Sequence, residues 1–191
     1  MATTVTLTTN TPAMVARILK KAPVAQSRAL NRAGVSANAA LLSAVSADTG
    51  LKVSTLRERI NVGRPATPEH LSVRVYAGTK GIPLIQFRAR GPEPSRGRGR
   101  GVTAQIQGGS VNYPRAFIAT MKNGRRGVFQ RGNKGNPNGR ARLPITEKYG
   151  PSIYLVAMRW RQVAIDRGRE SLIKNLQSEF RFVLAVDASA A

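Results

Sequence analysis

Several residue types that carry enzyme and metal chemistry are absent or scarce in this sequence. The 191 residues include no cysteine and one histidine, His70. The absence of cysteine excludes disulfides, thiolate metal sites and thiol nucleophiles, and it fits a reducing cytoplasm. One histidine cannot build a multi-histidine metal site or a histidine metalloprotease motif. His70 follows Glu69 in a proline-rich linker, and we interpret it as an ordinary surface residue.

Acidic residues are also scarce, with 9 Asp and Glu against 31 Lys and Arg, which leaves a net charge of +22. The nine acids are scattered and form no carboxylate cluster of the kind that a metal-dependent nuclease needs. Asp166 and Glu170 are one helical turn apart, but arginines flank both, so we interpret them as ion-pair partners. We therefore expect no catalytic residue, no metal site and no cofactor.

Two glycine patterns resemble phosphate-binding motifs, and both fail. Gly97, Gly99 and Gly101 lack the three-residue step of a dinucleotide fingerprint. Residues 127–134 (GVFQRGNK) space two glycines like a phosphate loop but place Asn133 where that motif requires lysine. No apolar run approaches the roughly 20 residues of a membrane span, and the amino terminus (MATTVTLTTN) has no signal-peptide pattern. We expect a soluble protein made for use inside a cell.

Hydrophobic periodicity predicts helix at both ends of the chain and strands between them. Residues 11–51 have helical spacing, with a kink or break expected at Pro23, and residues 54–62 look like a further short helix. Helical spacing returns over residues 151–184, with a bend expected at Gly168. Strand candidates are residues 71–76, 82–87, 102–107, 116–121 and 126–131. Asn123-Gly124 joins the last two and is a signal for a type I′ hairpin turn.

These elements predict an α+β fold with N-terminal helices, a central antiparallel sheet with long basic loops, and a long C-terminal helix packed on the sheet. We expect a single domain over residues 11–185, helical at 11–62, strand-rich at 71–146 and helical again at 151–184. Residues 1–10 would be an N-terminal extension and residues 186–191 a frayed tail.

The positive charge is concentrated in one part of the chain. Residues 88–142 hold thirteen Lys or Arg and a single acid, Glu93. Many of these cations lie in two segments rich in Gly, Pro and Arg, residues 91–101 (GPEPSRGRGRG) and 132–142 (GNKGNPNGRAR). Alternating Arg and Gly allows close approach to phosphates, which arginine forks fit. Two alternatives remain open: solvated loops without a ligand, and loops that become ordered against acidic surfaces of neighbouring subunits.

The few aromatic residues near these arginines, Phe87, Tyr113, Phe117 and Phe129, fall mostly in strand candidates and are better explained by core packing than by base stacking. Sequence-independent contact with a nucleic-acid backbone is therefore favoured over base reading.

Five short motifs occur in one order along the chain: Ala29-Leu30-Asn31-Arg32; Ile82-Pro83-Leu84 with Phe87; Arg115-Ala116-Phe117-Ile118-Ala119; Val128-Phe129-Gln130-Arg131; and Arg142-Leu143-Pro144-Ile145 leading to Tyr149-Gly150-Pro151-Ser152. Together they resemble the minor tail protein Z family of lambda-like phages and prophages, over about residues 25–185.

The resemblance implies a virion protein, made in the host cytoplasm, that completes the tail at the end that meets the head. It also implies kinship with neck proteins whose subunits form a ring around the DNA channel. Its partners would be further copies of the chain, tail terminator or tail tube proteins, head-side connector proteins, and phage DNA contacted without base reading, with no membrane. The basic residues that we predict to face DNA in the channel are Arg96, Arg98, Arg100, Arg125, Arg126, Lys134, Arg140 and Arg142. Those predicted to pack in the core or between subunits are Ile82, Leu84, Phe117, Ile118, Phe129, Trp160 and Phe180.

The main rival hypothesis is a free nucleic-acid-binding protein of ribosomal or nucleoid type, which a pI of about 11.8 would suit. A third hypothesis, a nuclease, would require the carboxylate cluster that the sequence lacks.

Overall fold

The computed structural model describes residues 11–93, 101–131 and 145–188, and these have an α+β architecture. The helices are α1 (Thr11–Thr49), α2 (Val53–Arg57), α3 (Ile153–Arg159) and α4 (Arg161–Ala188), with a 3-10 turn at Leu84–Gln86. The strands are β1 (Ile60–Val62), β2 (Val75–Ala77), β3 (Val102–Ile106), β4 (Gly109–Tyr113), β5 (Ala116–Thr120), β6 (Arg126–Arg131) and β7 (Ile145–Glu147). The predicted fold class is confirmed.

The strands form three small antiparallel sheets, with orders β1-β2, β3-β4 and β5-β6-β7. The chain divides into two compact units. The helical unit comprises Met1–Asn38, Val62–Val75 and Ala164–Ala191, and the sheet unit comprises Ala39–Asn61 and Tyr76–Val163. The expectation of one domain over residues 11–185 stays a prediction, as does the packing of the C-terminal helix on the sheet.

In the helical unit, small side chains allow α1 and α4 to approach closely. Ala25, Ala29 and Ala33 recur every four residues on α1 and are buried. A Cβ at Gly168 of α4 would lie 3.3 Å from Ala37 Cβ. The bend predicted at Gly168 stays a prediction; α4 continues through this glycine, which allows close contact with α1. Of the kink or break predicted at Pro23, the break is wrong, since α1 continues through that residue.

Polar contacts set the pairing of the two helices in this unit. Ser171 Oγ donates to Ser36 Oγ at 3.0 Å. Further along, the carboxylate of Glu179 on α4, 7% exposed, accepts from Arg32 Nη1 at 2.7 Å and has Arg28 Nη1 at 3.8 Å. The earlier residues of α1, Arg28 and Arg32, meet a later residue of α4 than Ser36 does, so the two helices run antiparallel.

The segment after β1 lies along α1. The Asn31 side chain accepts from Ala66 N at 2.7 Å and donates to Ala66 O at 3.0 Å. Val73 packs against Gly34 of α1, and a Cβ added at Gly34 would lie 2.7 Å from Val73 Cγ2. Most of the strand predicted over residues 71–76 is therefore loop, and only the last two of its residues belong to β2.

The sheet unit corrects two further expectations. The strand predicted over residues 82–87 is wrong, because this segment forms the 3-10 turn: Pro83 has no N–H, and Leu84 N bonds Lys148 O at 2.9 Å. The helix predicted over residues 54–62 ends at Arg57, and the last three residues of the predicted range form β1. A Cβ at Gly150 would overlap the ring of Phe87, so a glycine is required there. The largest fully buried side chains of this unit are Phe87, Leu56, Ile60, Ile82, Leu84, Ile153, Val45, Val102 and Val128.

The two hairpins use turns other than the one expected. Strands β5 and β6 pair as predicted, but only Gly124 in their connection has a positive φ, +78°. This is a type I turn followed by a left-handed glycine, so the type I′ prediction is wrong. The type I′ turn is at Gln107-Gly108, where φ is +50° and +75°, between β3 and the unpredicted β4.

The C-terminal helical region breaks at Trp160 rather than at Gly168. Trp160 has φ −96° and ψ 8°, and its indole N–H donates to Asp48 Oδ2 at 3.0 Å. Arg159 Nη1 lies 3.4 Å from the same oxygen. Asp48 thereby ties the junction of α3 and α4 to the last turn of α1.

Replacing Glu179 by Ala should destabilise the protein by about 2 kcal/mol, because the variant cannot form the charge-assisted hydrogen bonds of this buried carboxylate. Glu170→Ala is the matched control on the same helix: Glu170 is exposed, pairs with Arg167 one turn away, and should change stability by about 0.5 kcal/mol or less. Urea unfolding of the two variants measures the difference. Equal destabilisation would contradict the role assigned to Glu179.

Candidate nucleic-acid interface

The basic residues predicted to face DNA fall mainly in two segments that lie outside the described residues. These are Arg96, Arg98, Arg100, Lys134, Arg140 and Arg142. Arg125 and Arg126 are described and lie at the start of β6 or just before it. The described residues that flank the two segments lie in the sheet unit.

The flanks of the first segment lie side by side. A Cβ at Gly91 would lie 3.0 Å from Gly101 O and 2.9 Å from Val102 Cα. Gly101 has φ +88°, and a Cβ there would overlap Tyr113 O and lie 2.9 Å from Pro114 Cα. The described flanks of residues 94–100 therefore lie beside the turn between β4 and β5.

The flanks of the second segment meet at the same turn. Arg131 at the end of β6 pairs with Ile145 at the start of β7, so residues 132–144 connect two paired strands. Gln130 Nε2 donates to Pro114 O at 3.0 Å. Pro114 therefore contacts a flank of each basic segment. We call this region, defined by Gly101, Pro114, Arg131 and Ile145, the loop-root end.

Two arginines omitted from the predicted site lie at the loop-root end. Arg115 occupies the β4–β5 turn with φ +63° and is exposed. The Arg131 guanidinium lies 5.5 Å from the ring centroid of Phe117, an arrangement that leaves its hydrogen-bond donors available. Among the described residues, neither arginine has a carboxylate partner. Arg131 directly precedes the second Gly/Arg segment, which is the sequence signal that could have identified it, whereas Arg115 carries no such signal.

Arg125 and Arg126 lie at the opposite end of the β5–β6 hairpin. Strand β6 runs from Arg126 to Arg131. At about 3.3 Å per residue, Arg126 and Arg131 are roughly 17 Å apart. Of the eight predicted basic residues, the two that the structure describes thus lie at the hairpin end remote from the loop-root end.

The environments of Arg125 and Arg126 also differ. Arg125 Nη2 lies 3.2 Å from Glu147 Oε2 at the end of β7, whereas Arg126 is exposed and has no acidic partner among the described residues. Tyr149 also donates its hydroxyl to Glu147 Oε2, at 2.8 Å. The pKa of Tyr149 is raised, and the hydrogen bond to Glu147 is the largest cause. Partial desolvation and the negative charge of Glu147 raise it further, while Arg125 lowers it. Gly127 leaves room for this cluster, since a Cβ there would lie 3.1 Å from Glu147 Oε1.

The residues predicted to pack differ in exposure. Ile82, Leu84, Ile118 and Phe129 are buried in the sheet unit. Phe117 is half-buried and its ring centroid lies 6.3 Å from that of Phe129 across the strand pair. Trp160 and Phe180 are also half-buried. A role for any of them between subunits stays a prediction.

The described residues contain no group of three His, Asp or Glu side chains arranged to hold a metal ion. No helix in the described part of the chain combines the length and apolar character that a membrane span requires.

Comparison with known proteins yields one match. A model of the family described as prophage minor tail protein Z matches residues 13–187 of the 191-residue chain. The match spans the described parts of both units and both basic segments, and it confirms the resemblance drawn from the five motifs. No curated protein and no solved structure matches the chain significantly.

The Glu147 cluster predicts a late tyrosine ionisation. Wild-type protein should show one tyrosinate transition above the ordinary value of about pH 10, and Tyr149→Phe should remove it. Glu147→Gln should shift it to lower pH, while Tyr76→Phe, which also removes an exposed phenol, should retain it. Ultraviolet absorbance during alkaline titration measures all four proteins.

The raised pKa of Tyr149 also sets the direction of a stability change. The folded state favours the protonated Tyr149 phenol and so gains stability from it. This contribution to the free energy of unfolding is complete below the unfolded-state pKa and is lost as pH rises through the higher folded-state pKa. A late transition that persists in Tyr149→Phe would contradict the assignment.

Proposed function

The chain belongs to the prophage minor tail protein Z family, and from this membership we propose that it completes the phage tail at the end that meets the head. In this proposal it is a structural protein without catalytic activity. Copies of the chain form a ring in the neck around the DNA channel, between tail terminator or tail tube proteins and head-side connector proteins. The family match over residues 13–187 is the observation that carries the proposal.

The arrangement of charge supports contact with DNA. The described flanks of both basic segments lie at the loop-root end, where Arg115 and Arg131 have no acidic partner among the described residues. In a ring, this end of every subunit would add to one positive surface. Such a surface attracts a nucleic-acid backbone by counterion release and reads no bases, as passage of a whole genome requires.

Exposed apolar side chains support assembly with other proteins. On α4, Ile173 is 59% exposed and Phe182 is 62% exposed, and on α3 Leu155 is 67% exposed. Large apolar side chains exposed in this way are typical of surfaces that become covered by a partner. In the proposed ring, these helices contact neighbouring subunits or adjoining neck proteins.

A free nucleic-acid-binding protein of ribosomal or nucleoid type is the second candidate, and the net charge of +22 favours it. The two candidates differ in purified form. A free binder would bind nucleic acid tightly as a monomer or dimer, whereas a neck protein would assemble mainly with tail and head partners.

Electron microscopy of particles produced without this protein tests the proposed place in assembly. We expect filled heads and full-length tails that fail to join, because the junction between them is incomplete. Supplying the protein from a second gene copy should restore joined particles. Normal infectious particles in its absence would refute the proposal.

The DNA-contact role predicts a specific change in salt dependence. Replacing Arg96, Arg98 and Arg100 together by Gln should reduce the slope of log affinity against log salt by about 0.9 for each phosphate that the variant no longer neutralises. Replacing Arg169, Lys174 and Arg181 on α4 removes the same charge from exposed helix positions and should leave most of the slope unchanged. Titration of duplex DNA at several salt concentrations provides the measurement. Equal changes in the two triple variants would indicate a general charge effect and contradict the assignment.

A further inference from the structure

A second basic site lies in the sheet unit, at the opposite end of the β5–β6 hairpin from the loop-root end. It is a cavity of about 370 Å³ lined by Arg59, Lys80, Gly81, Pro83, Arg125 and Tyr149. We call it the basic cleft. Three of its six lining residues carry a positive charge, and they come from three separate segments of the chain.

Backbone hydrogen bonds fix the segments that form the basic cleft. Gly78 N donates to Arg59 O at 2.7 Å, which ties the end of α2 to the strand before Lys80. Gly150 N donates to Ile82 O at 2.9 Å, and Pro83 forms a β-bridge with Tyr149. The cleft is therefore built from backbone positions that are set before any ligand arrives.

Glycine at position 81 brings two of these segments into close contact. A Cβ on Gly81 would lie 3.0 Å from Tyr149 Cβ and 3.5 Å from Gly150 O. The adjoining Lys80 is consequently held at the wall that Tyr149 forms.

The basic cleft contains more positive charge than the protein neutralises. Glu147 pairs with Arg125 and accepts the Tyr149 hydroxyl. Arg59 and Lys80 have no carboxylate partner among the described residues. Three cations and one carboxylate leave two unmatched positive charges at one small cleft. Like charges placed together repel, and a cleft between low-dielectric walls focuses their field on an incoming anion.

We propose that the basic cleft binds a phosphate group. Arg59 and Arg125 present planar guanidinium donors that suit oxyanions, and Lys80 adds a compact charge. Two unmatched positive charges match a phosphate dianion, whereas a carboxylate offers a single negative charge. The volume of 370 Å³ also accommodates part of the group that carries the phosphate. The dianion belongs to the free ion or to a nucleic-acid terminus, and a singly charged backbone phosphate is the alternative that competition distinguishes.

This inference stands apart from the proposed role in tail assembly. The basic cleft is separated from the loop-root end by the length of β6, roughly 17 Å. A variant of the cleft and a variant of residues 96–100 therefore test different surfaces, and either proposal can fail alone.

The test uses the full-length protein in chloride buffer, with inorganic phosphate titrated by calorimetry. Arg59→Gln with Lys80→Gln should weaken phosphate binding by about tenfold or more, since the variant lacks two charge-assisted hydrogen-bond donors. Arg169→Gln with Lys174→Gln removes the same charge from α4 and should leave the phosphate affinity within about twofold of wild type. Circular dichroism and thermal melting establish that both variants are folded. If the cleft pair is unfolded, Lys80→Gln alone, at an exposed side chain, replaces it and should weaken binding by about tenfold.

Competition identifies the source of the phosphate. If a duplex displaces inorganic phosphate only when it carries 5′-terminal phosphates, the site binds a nucleic-acid terminus. If a duplex without terminal phosphates also displaces it, the site binds the nucleic-acid backbone. No displacement by either duplex indicates the free ion. Each of these results requires a working phosphate site.

Three results would overturn the proposal. These are absence of phosphate binding by the wild-type protein, equal weakening in the cleft and α4 variants, and binding of an acidic peptide in the cleft that phosphate does not displace.

Discussion

The shortage of acidic residues constrains this fold more than any other feature of its composition. With 9 acids and 31 Lys and Arg, few cations can find a partner within the chain. Three acids are largely buried, and each holds two donors: Asp48 binds Arg159 and Trp160, Glu147 binds Arg125 and Tyr149, and Glu179 contacts Arg28 and Arg32. In the first and last of these sets the acid joins helices far apart in the chain. A buried carboxylate is stable only when paired in this way, so these acids act within the units as crosslinks.

The remaining cations must meet charge from outside the chain. A compact monomer with a net charge of +22 repels itself. In the sheet unit, two places hold cations that have no acidic partner among the described residues. These are the loop-root end and the basic cleft, at the two ends of the β5–β6 hairpin. Binding of anions at either place would relieve repulsion as well as form contacts. The same property that weakens the isolated subunit would therefore favour its assembled or DNA-bound state.

Much of the fold was predictable because it follows hydrophobic periodicity, which identified α1, α4 and strands β3, β5 and β6. The errors arose where a tertiary contact decided the outcome. Gly168 predicts a bend because glycine is a weak helix former, and its contact with Ala37 supplies a tertiary reason for the glycine. Trp160 carries no break signal, since its bond to Asp48 joins residues more than one hundred positions apart. Asn123-Gly124 does not form the expected type I′ turn, whereas Gln107-Gly108, for which no turn was predicted, does, because turn type depends on loop length as well as on residue preference.

The candidate site was harder to predict, because charge density along a sequence does not say which cations share a surface. Arg125 and Arg126 are neighbours, yet Arg125 bonds Glu147 and lines the basic cleft while Arg126 is exposed without an acidic partner among the described residues. Adjacent residues of an extended chain point to opposite faces, so such a pair divides between two environments. Arg59 and Lys80 lie well before the basic region and reach the cleft only through the backbone bonds of their neighbours. Composition therefore indicates an anionic partner, but the positions of the few acids and glycines determine which cations are left to bind it.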